Sequence, residues 1–315
     1  VRINLNQALV RAVAPIQGTT GDDGITPTSA PAGQAKPGSL ADLVKAGSGN
    51  DAVDGGAGND FLYGEGGNDV IAGGDGADLL DGGDGDDTLY SGQQSPAFNS
   101  PHASNPFTAP LLDTGAEVDT LIGGAGNDRI FAGYGDHIDG GGNEVAGDTL
   151  FISFQGATAG VTFDDSLATQ TIGGATITGI EQVGWLEGSN FDDVLMAGDN
   201  PVTGGLSPIF GMGGNDHIIA RYYSGNLYGG DGDDIVDARN SGYSLVVDGG
   251  NGDDTIYANR NASQTLYGGD GDDIIYGHSR IYGGAGNDRI FVQSESGQQE
   301  FRGGDGDDVI TVELG

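Results

Sequence analysis

The nine-residue stretch GGDGDDIIY, from Gly268 to Tyr276, recurs along this chain and restricts its possible folds more than any other feature. Its first six residues combine glycines, which tolerate positive φ, with carboxylates, so they favour a tight turn over a helix or a strand. Its last three residues are β-branched or aromatic and favour a short strand. A strand this short buries too little apolar surface to be stable alone, so the pattern predicts copies that stack on one another.

Twelve copies share an aspartate at the sixth position and a branched aliphatic residue at the eighth. Five copies follow one another without gaps from Ala46 to Tyr90. The others begin at Gly123, Gly211, Gly229, Gly249, Gly268, Gly283 and Gly303. The sixth-position aspartates are Asp51, Asp60, Asp69, Asp78, Asp87, Asp128, Asp216, Asp234, Asp254, Asp273, Asp288 and Asp308. Each repeat is therefore expected to supply one inward-facing apolar side chain and one carboxylate in a fixed place.

The charge balance indicates that the chain needs a cation. It has 47 acidic residues against 11 basic ones, a net charge of -36. Such a polyanion should repel nucleic acids, anionic membranes and itself unless something neutralises it. Cysteine is absent, which excludes disulfides and thiolate metal sites. No stretch is apolar for long enough to predict a membrane-spanning segment.

The N-terminal part, residues 1–45, is predicted to hold a strand, a linker and a cap. Alternating apolar and polar residues favour a strand at the start of residues 1–15, although ALVRAVA could instead form one or two turns of helix. This strand could be donated to a neighbouring molecule or could cap the first coil. Residues 17–39 have the composition of a linker, and Leu40–Lys45 is predicted as a helical turn that caps the first coil.

Three further parts follow. Residues 46–151 form a first repeat block, interrupted by a loop excursion at residues 91–117. Residues 152–190 lack acidic turns and are predicted as a degenerate β connector, with longer strands that extend the solenoid or cover its side. Residues 191–315 form a second repeat block.

The spacing of the repeats changes in the second block. The repeats that begin at residues 229, 249, 268, 283 and 303 are separated by 20, 19, 15 and 20 residues, close to two nine-residue units. Every second turn is thus replaced by a segment without the acidic motif. This spacing predicts one edge with acidic turns and an opposite edge with variable loops.

Calcium is the cation that these turns best suit. Calcium takes 6–8 oxygen ligands and tolerates irregular geometry, which carboxylates and glycine-turn carbonyls can provide. One turn has too few oxygens, but two adjacent turns on one edge have enough. Magnesium requires stricter octahedral geometry, and zinc or copper would favour cysteine or histidine ligands. The four histidines are scattered and are predicted to be surface residues.

The repeats GGxGxDxUx resemble those of the RTX (repeats-in-toxin) family, also called hemolysin-type calcium-binding repeats. The resemblance covers most of the chain from Ala46 onward. It implies an all-β fold, a right-handed parallel β-roll or β-solenoid, with multiple Ca²⁺ ions held between successive turns of one edge. It places the ligands at the twelve sixth-position aspartates and neighbouring carbonyls. About three complete sites are expected in the first block and about four or five in the second. The resemblance also implies secretion and folding in extracellular calcium.

The sequence leaves several functions open. The first is a secreted calcium-dependent structural or interaction protein that self-assembles into a filament, surface layer or adhesin. The second is a non-catalytic module of a secreted enzyme such as a lipase, protease or polysaccharide epimerase. The third is a polysaccharide-binding module that uses recurring aromatic residues, although stacking between coils also explains these. The chain lacks common catalytic motifs, so it is not predicted to be an enzyme.

Overall fold

The structure is a computed structural model that describes residues 14–92, 117–142, 147–198, 208–221, 225–241, 245–259, 264–278, 280–294 and 299–314. The chain divides into two compact units, Val1–Thr149 and Leu150–Gly315. The described residues form strands and turns and contain no helix, and hence none with the length and apolarity to cross a membrane.

The first unit consists of short strands joined by tight turns. These strands are β1 (Ile16–Gln17), β2 (Gly24–Ile25), β3 (Leu43–Ser48), β4 (Ala52–Ala57), β5 (Phe61–Gly66), β6 (Val70–Asp75), β7 (Leu79–Asp84), β8 (Thr88–Tyr90), β9 (Thr120–Ala125), β10 (Arg129–Ala132) and β11 (His137–Gly141). Each strand from β1 to β9 pairs in parallel with the strand two places further along the chain. Odd-numbered strands form one sheet and even-numbered strands the other, so two consecutive strands make one coil.

The second unit repeats this arrangement. Its strands are β12 (Thr149–Ser153), β13 (Thr162–Asp164), β14 (Thr169–Ile172), β15 (Ala175–Thr178), β16 (Gln182–Glu187), β17 (Val194–Ala197), β18 (Ile209–Gly213), β19 (His217–Arg221), β20 (Leu227–Asp231), β21 (Ile235–Asn240), β22 (Val246–Asn251), β23 (Thr255–Ala258), β24 (Thr265–Asp270), β25 (Ile274–Gly277), β26 (Arg280–Ala285), β27 (Arg289–Ser294), β28 (Glu300–Asp305) and β29 (Val309–Leu314). From β16 onward, even-numbered and odd-numbered strands again form two parallel sheets. The predicted parallel β-roll is thus confirmed.

The core is a column of single apolar side chains between the two sheets. Eleven of the twelve eighth-position residues are completely buried, and only Ile310, in the last coil, is 42% exposed. The sheets face each other closely, because a Cβ added at Gly277 in β25 would lie 2.5 Å from Leu266 Cδ1 in β24 and 2.9 Å from Ile281 Cδ1 in β26. Parallel pairing places equivalent residues in register, so each coil buries its apolar residue against the next.

The start of the roll differs from the sequence prediction. Leu40–Lys45 does not form a helical turn, because β3 begins at Leu43. Val44 is buried and pairs in register with Leu62 of β5. One isolated turn of helix has an unfavourable nucleation free energy, whereas a strand here gains a complete set of ladder hydrogen bonds. The predicted linker at residues 17–39 also contributes to the roll, because β2 lies within it and pairs Ile25 with Val53.

The connector, residues 152–190, also differs from the sequence prediction. The longer strands predicted for residues 152–190 are absent, and the strands of this segment have three to six residues. Strands β14 and β15 form an antiparallel hairpin. Gly173 and Gly174 make its two-residue turn with φ of 62° and 91°, the positive values that favour tight hairpins. The strand predicted in residues 1–15 and most of the excursion at residues 91–117 lie outside the described residues.

Aromatic residues at equivalent positions stack from coil to coil, as predicted. The rings of Tyr257 and Tyr276 lie 5.1 Å apart, and those of Tyr276 and Phe291 lie 4.8 Å apart. On the other sheet, the rings of Tyr267 and Tyr282 are 5.1 Å apart. The interplanar angles of these pairs are 7°, 10° and 13°, so the rings cover one another's faces.

Two turns carry an L-residue where the backbone favours glycine. Glu65 and Met212 have φ of 75° and 82° at the second position of their repeats. Positive φ destabilises an L-residue by about 1–2 kcal/mol, so replacement by glycine removes this strain. Glycine also has more conformational freedom in the unfolded chain, which offsets part of the stability gained. Met212→Gly is therefore expected to raise the free energy of unfolding by about 1 kcal/mol in urea titrations at saturating calcium.

Gly232→Ala is the opposite control for that substitution. Gly232 has φ of 130°, and a Cβ there would lie 2.1 Å from the carbonyl oxygen of Gly214. This variant should be clearly less stable than the parent protein. A loss of stability in Met212→Gly would contradict the prediction and would show that packing of the methionine side chain outweighs the backbone strain.

Candidate metal sites in the turns

All twelve turns of the repeat motif share one backbone conformation. The residues at their second and fourth positions have positive φ, as in the turn before Asp254, where Gly250 and Gly252 have φ of 116° and 128°. This conformation explains the two glycines, because a Cβ at Gly250 would lie 2.1 Å from the Gly230 carbonyl oxygen of the preceding coil. The turns therefore stack closely, with backbone against backbone.

The sixth-position carboxylates point into the roll. Eleven of them are 0–3% exposed: Asp51, Asp60, Asp69, Asp78, Asp87, Asp128, Asp216, Asp234, Asp254, Asp273 and Asp288. Asp308, in the last coil, is half-buried. Burial of a carboxylate is unfavourable unless hydrogen bonds or a cation compensate for the lost hydration.

Hydrogen bonds join these aspartates into ladders. The N–H of Asp234 donates to Oδ1 of Asp254 at 2.8 Å, and the N–H of Asp254 donates to Oδ1 of Asp273 at 2.8 Å. Three ladders result, which are Asp23–Asp51–Asp69–Asp87–Asp128–Asp148, Asp42–Asp60–Asp78–Asp119–Asp136 and Asp193–Asp216–Asp234–Asp254–Asp273–Asp288–Asp308. Alternate repeats of the first block thus share an edge, and the second block keeps its acidic turns on one edge.

The fifth-position residues form a second ladder that runs in the opposite direction. The N–H of Asp253 donates to Oδ1 of Asp233 in the preceding coil at 2.9 Å, and the N–H of Asp272 donates to Oδ1 of Asp253 at 2.8 Å. Asn215 and Asn287 accept equivalent hydrogen bonds from the following coil. An amide oxygen serves here as well as a carboxylate, which explains why the fifth position is Asn or Asp in eleven of the twelve repeats, with Ala77 as the exception.

The sixth-position ladder satisfies only one oxygen of each carboxylate. For nine of them, Oδ2 is buried and receives no hydrogen bond from any residue that the structure describes: Asp51, Asp60, Asp69, Asp87, Asp216, Asp234, Asp254, Asp273 and Asp288. A buried anionic oxygen without a hydrogen bond is energetically unfavourable, so these oxygens indicate a site for a cation.

The first-position glycine leaves a space beside this oxygen. A Cβ added at Gly249 would lie 2.2 Å from Asp254 Oδ2 and 2.4 Å from the carbonyl oxygen of Gly268 in the next coil. A carboxylate oxygen and a backbone oxygen from successive coils therefore line the same small space. The same pair of atoms surrounds Gly229, at 2.3 Å from Asp234 Oδ2 and 2.3 Å from the Gly249 carbonyl oxygen.

Burial raises the pKa of these carboxyl groups. The pKa of Asp87, Asp216 and Asp254 rises to about 8, chiefly through desolvation and further through neighbouring carboxylates, while the backbone hydrogen bond lowers it. The same causes raise the pKa of Asp60 and Asp273 to about 7. The charged form is therefore unfavourable in the folded chain unless a cation balances it.

The oxygen atoms fit a hard cation such as Ca²⁺. Within the described ranges, no group of three or more acidic, histidine or cysteine side chains converges on one point. An ion at these turns would therefore be held by sixth-position carboxylates together with backbone carbonyls of two coils. Calcium accepts such mixed oxygen ligands, whereas zinc favours nitrogen and sulfur.

The fold and these turns define the class of protein, a parallel β-roll with a calcium-binding edge. The family model of the RTX calcium-binding nonapeptide repeat (4 copies) matches residues 38–71, 63–95, 113–143, 210–240, 246–264, 265–279, 277–294 and 296–315. These matches cover more than half of the chain, and the chain belongs to this family. No individual curated protein matches it.

Six further aspartates join the ladders without having been predicted: Asp23, Asp42, Asp119, Asp136, Asp148 and Asp193. A weak signal existed for Asp42 and Val44, which lie nine residues before Asp51 and Val53. In four of these turns, a backbone N–H of the same turn donates to Oδ2. The donors are Thr19 to Asp23, Gly38 to Asp42, Gly133 to Asp136 and Ser189 to Asp193. These turns differ from those of the motif because their Oδ2 accepts a hydrogen bond, and in Asp136 and Asp193 both carboxylate oxygens are bonded.

A matched pair of substitutions tests the role of the sixth position. Asp254→Asn keeps an oxygen that can accept the Asp234 N–H but removes the buried charge. We expect it to bind about one Ca²⁺ ion fewer per chain and to need more calcium to fold, as measured by equilibrium dialysis and circular dichroism. Asp253→Asn, at the fifth position where asparagine already occurs, should behave as the parent protein. Equal effects of the two substitutions would contradict this assignment.

The raised pKa values predict how pH affects the calcium-free chain. Because Asp87, Asp216 and Asp254 have a folded-state pKa of about 8, above the ordinary value of 3.8, the folded state becomes less favourable as pH rises from about 4 through 8. In EGTA, the β signal in circular dichroism should therefore be larger at about pH 5.5 than at about pH 8.5. Saturating calcium should reduce this difference. More β structure at the higher pH in EGTA would contradict the prediction.

Proposed function

We infer that the protein is an extracellular structural or interaction protein in which calcium serves folding rather than chemistry. The burial of the sixth-position carboxylates carries this proposal, because eleven of them are at most 3% exposed. An ion held between two coils by these groups would be enclosed by protein. A catalytic metal keeps a coordination position open to substrate, and an enclosed ion does not.

The net charge supports a requirement for calcium during folding. The chain carries a net charge of -36, and the ladders place buried carboxylates of successive coils next to one another. Divalent cations between the coils would offset this repulsion, so that binding contributes directly to folding. Extracellular calcium modules bind at about 0.1–1 mM, which is why we assign the protein to the secreted or cell-surface compartment.

Self-association is the second part of the proposal. The last described coil exposes Val309, Ile310 and Val312, at 56%, 42% and 48%. The residues equivalent to Ile310 in the other eleven repeats are completely buried by a neighbouring coil. We propose that a further β-coil covers this surface, from a second copy of the chain or from a continuation of the roll in a longer protein, because exposed apolar residues and strand edges favour pairing.

Two other functions have less support. Stacked aromatic residues could bind a polysaccharide, but rings that lie nearly parallel at 4.8–5.1 Å present mainly their edges to solvent. A role as the calcium-binding module of a secreted enzyme requires catalytic residues elsewhere in a longer protein. Glycan arrays and sequencing of the complete gene would test these alternatives.

A calcium titration that combines circular dichroism with analytical ultracentrifugation tests the proposed function. We expect β structure to form cooperatively as calcium increases, followed by association at higher protein concentration. Full β structure in EGTA at low ionic strength would refute the calcium requirement. Folded protein that stays monomeric at high concentration would refute self-association, and Ile310→Ser would provide the variant expected to reduce it.

A further inference from the structure

We propose that the second unit starts with a cap that folds without calcium, and that the calcium-dependent ladder from Asp216 to Asp308 is built upon it. The cap comprises residues 150–198, and the first coil of the ladder, residues 208–221, packs on it. This inference rests on the proposed calcium dependence of the ladder and adds a direction to its folding. Three independent features of the cap support it.

The first feature is a turn that supplies its own hydrogen-bond donors. Oδ2 of Asp193 accepts the backbone N–H of Ser189 at 2.5 Å. Oδ1 accepts the Ser189 hydroxyl at 2.9 Å and the N–H of Val161 at 2.7 Å. Both carboxylate oxygens of Asp193 are therefore bonded, whereas Oδ2 of Asp216 in the next coil receives no hydrogen bond from the described residues.

This turn differs from the motif turns at two positions. The space beside Gly188 is retained, because a Cβ there would lie 2.4 Å from the Gly211 carbonyl oxygen and 2.5 Å from Asp193 Oδ2. Ser189 and Phe191 replace the second and fourth glycines, and neither has the positive φ found there in the motif. Instead, Phe191 N–H donates to the Ser189 hydroxyl at 3.1 Å and closes a serine turn. In this conformation, the N–H and the hydroxyl of Ser189 stabilise the carboxylate of Asp193, as a cation would in a motif turn.

The second feature is a positive side chain that neutralises acidic residues of the cap. Arg221, at the end of β19, forms an ion pair with Asp164, and its Nη2 lies 3.7 Å from Oδ1 of Asp165. Its Nη1 also donates to the hydroxyl of Ser166 at 3.2 Å. Arg221 thereby connects β19 to the segment after β13. At this end of the unit, the counter-charge for a pair of carboxylates comes from the protein itself.

The third feature is a larger apolar core. Phe154 and Phe163 are each 1% exposed, and their rings lie 5.9 Å apart. Trp185 is 7% exposed, and its ring lies 4.9 Å from that of Phe210. A buried aromatic side chain removes about 150–250 Å² of surface from water, more than the single aliphatic residue that each motif strand contributes. The cap can therefore be stable without ions between its coils.

A preformed cap would assist the first calcium turn. The N–H of Asp193 donates to Oδ1 of Asp216 at 2.8 Å, and β17 pairs in register with β19. The Asp216 turn thus forms against an existing template instead of closing two unsupported turns at once. In a solenoid, each coil contacts its neighbours, so folding would then continue coil by coil towards Asp308.

Trp185 makes the proposal testable in the full-length chain. It is the only tryptophan, and it lies three residues before Gly188. Its fluorescence reports on the cap, while far-ultraviolet circular dichroism reports on the whole roll. In EGTA we expect Trp185 to show the emission of a buried indole and protection from acrylamide, although most of the β signal is missing. Calcium should then restore the β signal with little change in the tryptophan emission.

Substitutions separate the cap from the ladder. Ser189→Ala removes the hydroxyl donor and should increase acrylamide quenching of Trp185 in EGTA several-fold. Ser241→Ala is the matched control, because Ser241 is also buried, 3% exposed, and hydrogen-bonded but lies outside the cap. Asp234→Asn should raise the calcium needed for the β signal and leave Trp185 in EGTA unchanged.

The outcomes distinguish this inference from the proposed function. If Trp185 is exposed in EGTA and becomes buried at the same calcium concentration as the β signal appears, the cap is not independent of calcium and the inference is wrong. If the complete β signal is present in EGTA, the calcium requirement itself is wrong. Unchanged quenching in Ser189→Ala would refute the role of the serine turn.

Discussion

The structure is built around a buried carboxylate oxygen that receives no hydrogen bond from the described residues. In turn after turn, one oxygen of the sixth-position aspartate accepts an N–H from the preceding coil, and the other faces a space lined by a carbonyl oxygen of the next coil. A purely apolar column one side chain wide would be a weak core for such short strands. Cations between the coils would neutralise the sixth-position carboxylates and link each coil to the next.

The turns that begin the ladders differ from the motif turns. Asp23, Asp42 and Asp193 open the three ladders, and in each case an N–H of the same turn bonds the second carboxylate oxygen. The turn of Asp136, at the end of the second ladder, has the same kind of hydrogen bond. The roll thus combines turns whose Oδ2 accepts an N–H with turns whose Oδ2 receives no hydrogen bond from the described residues.

Equivalent side chains of successive repeats form rows on the outer surface of the second unit. Side chains at equivalent positions lie directly above one another, which stacks Tyr257, Tyr276 and Phe291 and places Arg239 over the first ring at 5.0 Å. This stacking is a property of parallel strands in register and needs no ligand to explain it. Ile310 differs from its equivalents, since it is 42% exposed at a core position of the last described coil.

The sequence by itself determined the local geometry, because the residues that specify each turn and each strand lie within one nine-residue repeat. Glycines that tolerate positive φ, a sixth-position aspartate and an eighth-position aliphatic residue predicted twelve acidic turns and stacked short strands, and the resemblance to RTX repeats implied that the roll is parallel. Only the tertiary structure showed that Ile25 and Val44 belong to the roll, that β14 and β15 form a hairpin, and that Asp193 is bonded by Ser189. Those features depend on which segment lies beside which. A stacked neighbour can support a degenerate turn or a two-residue strand that has no recognisable signal of its own.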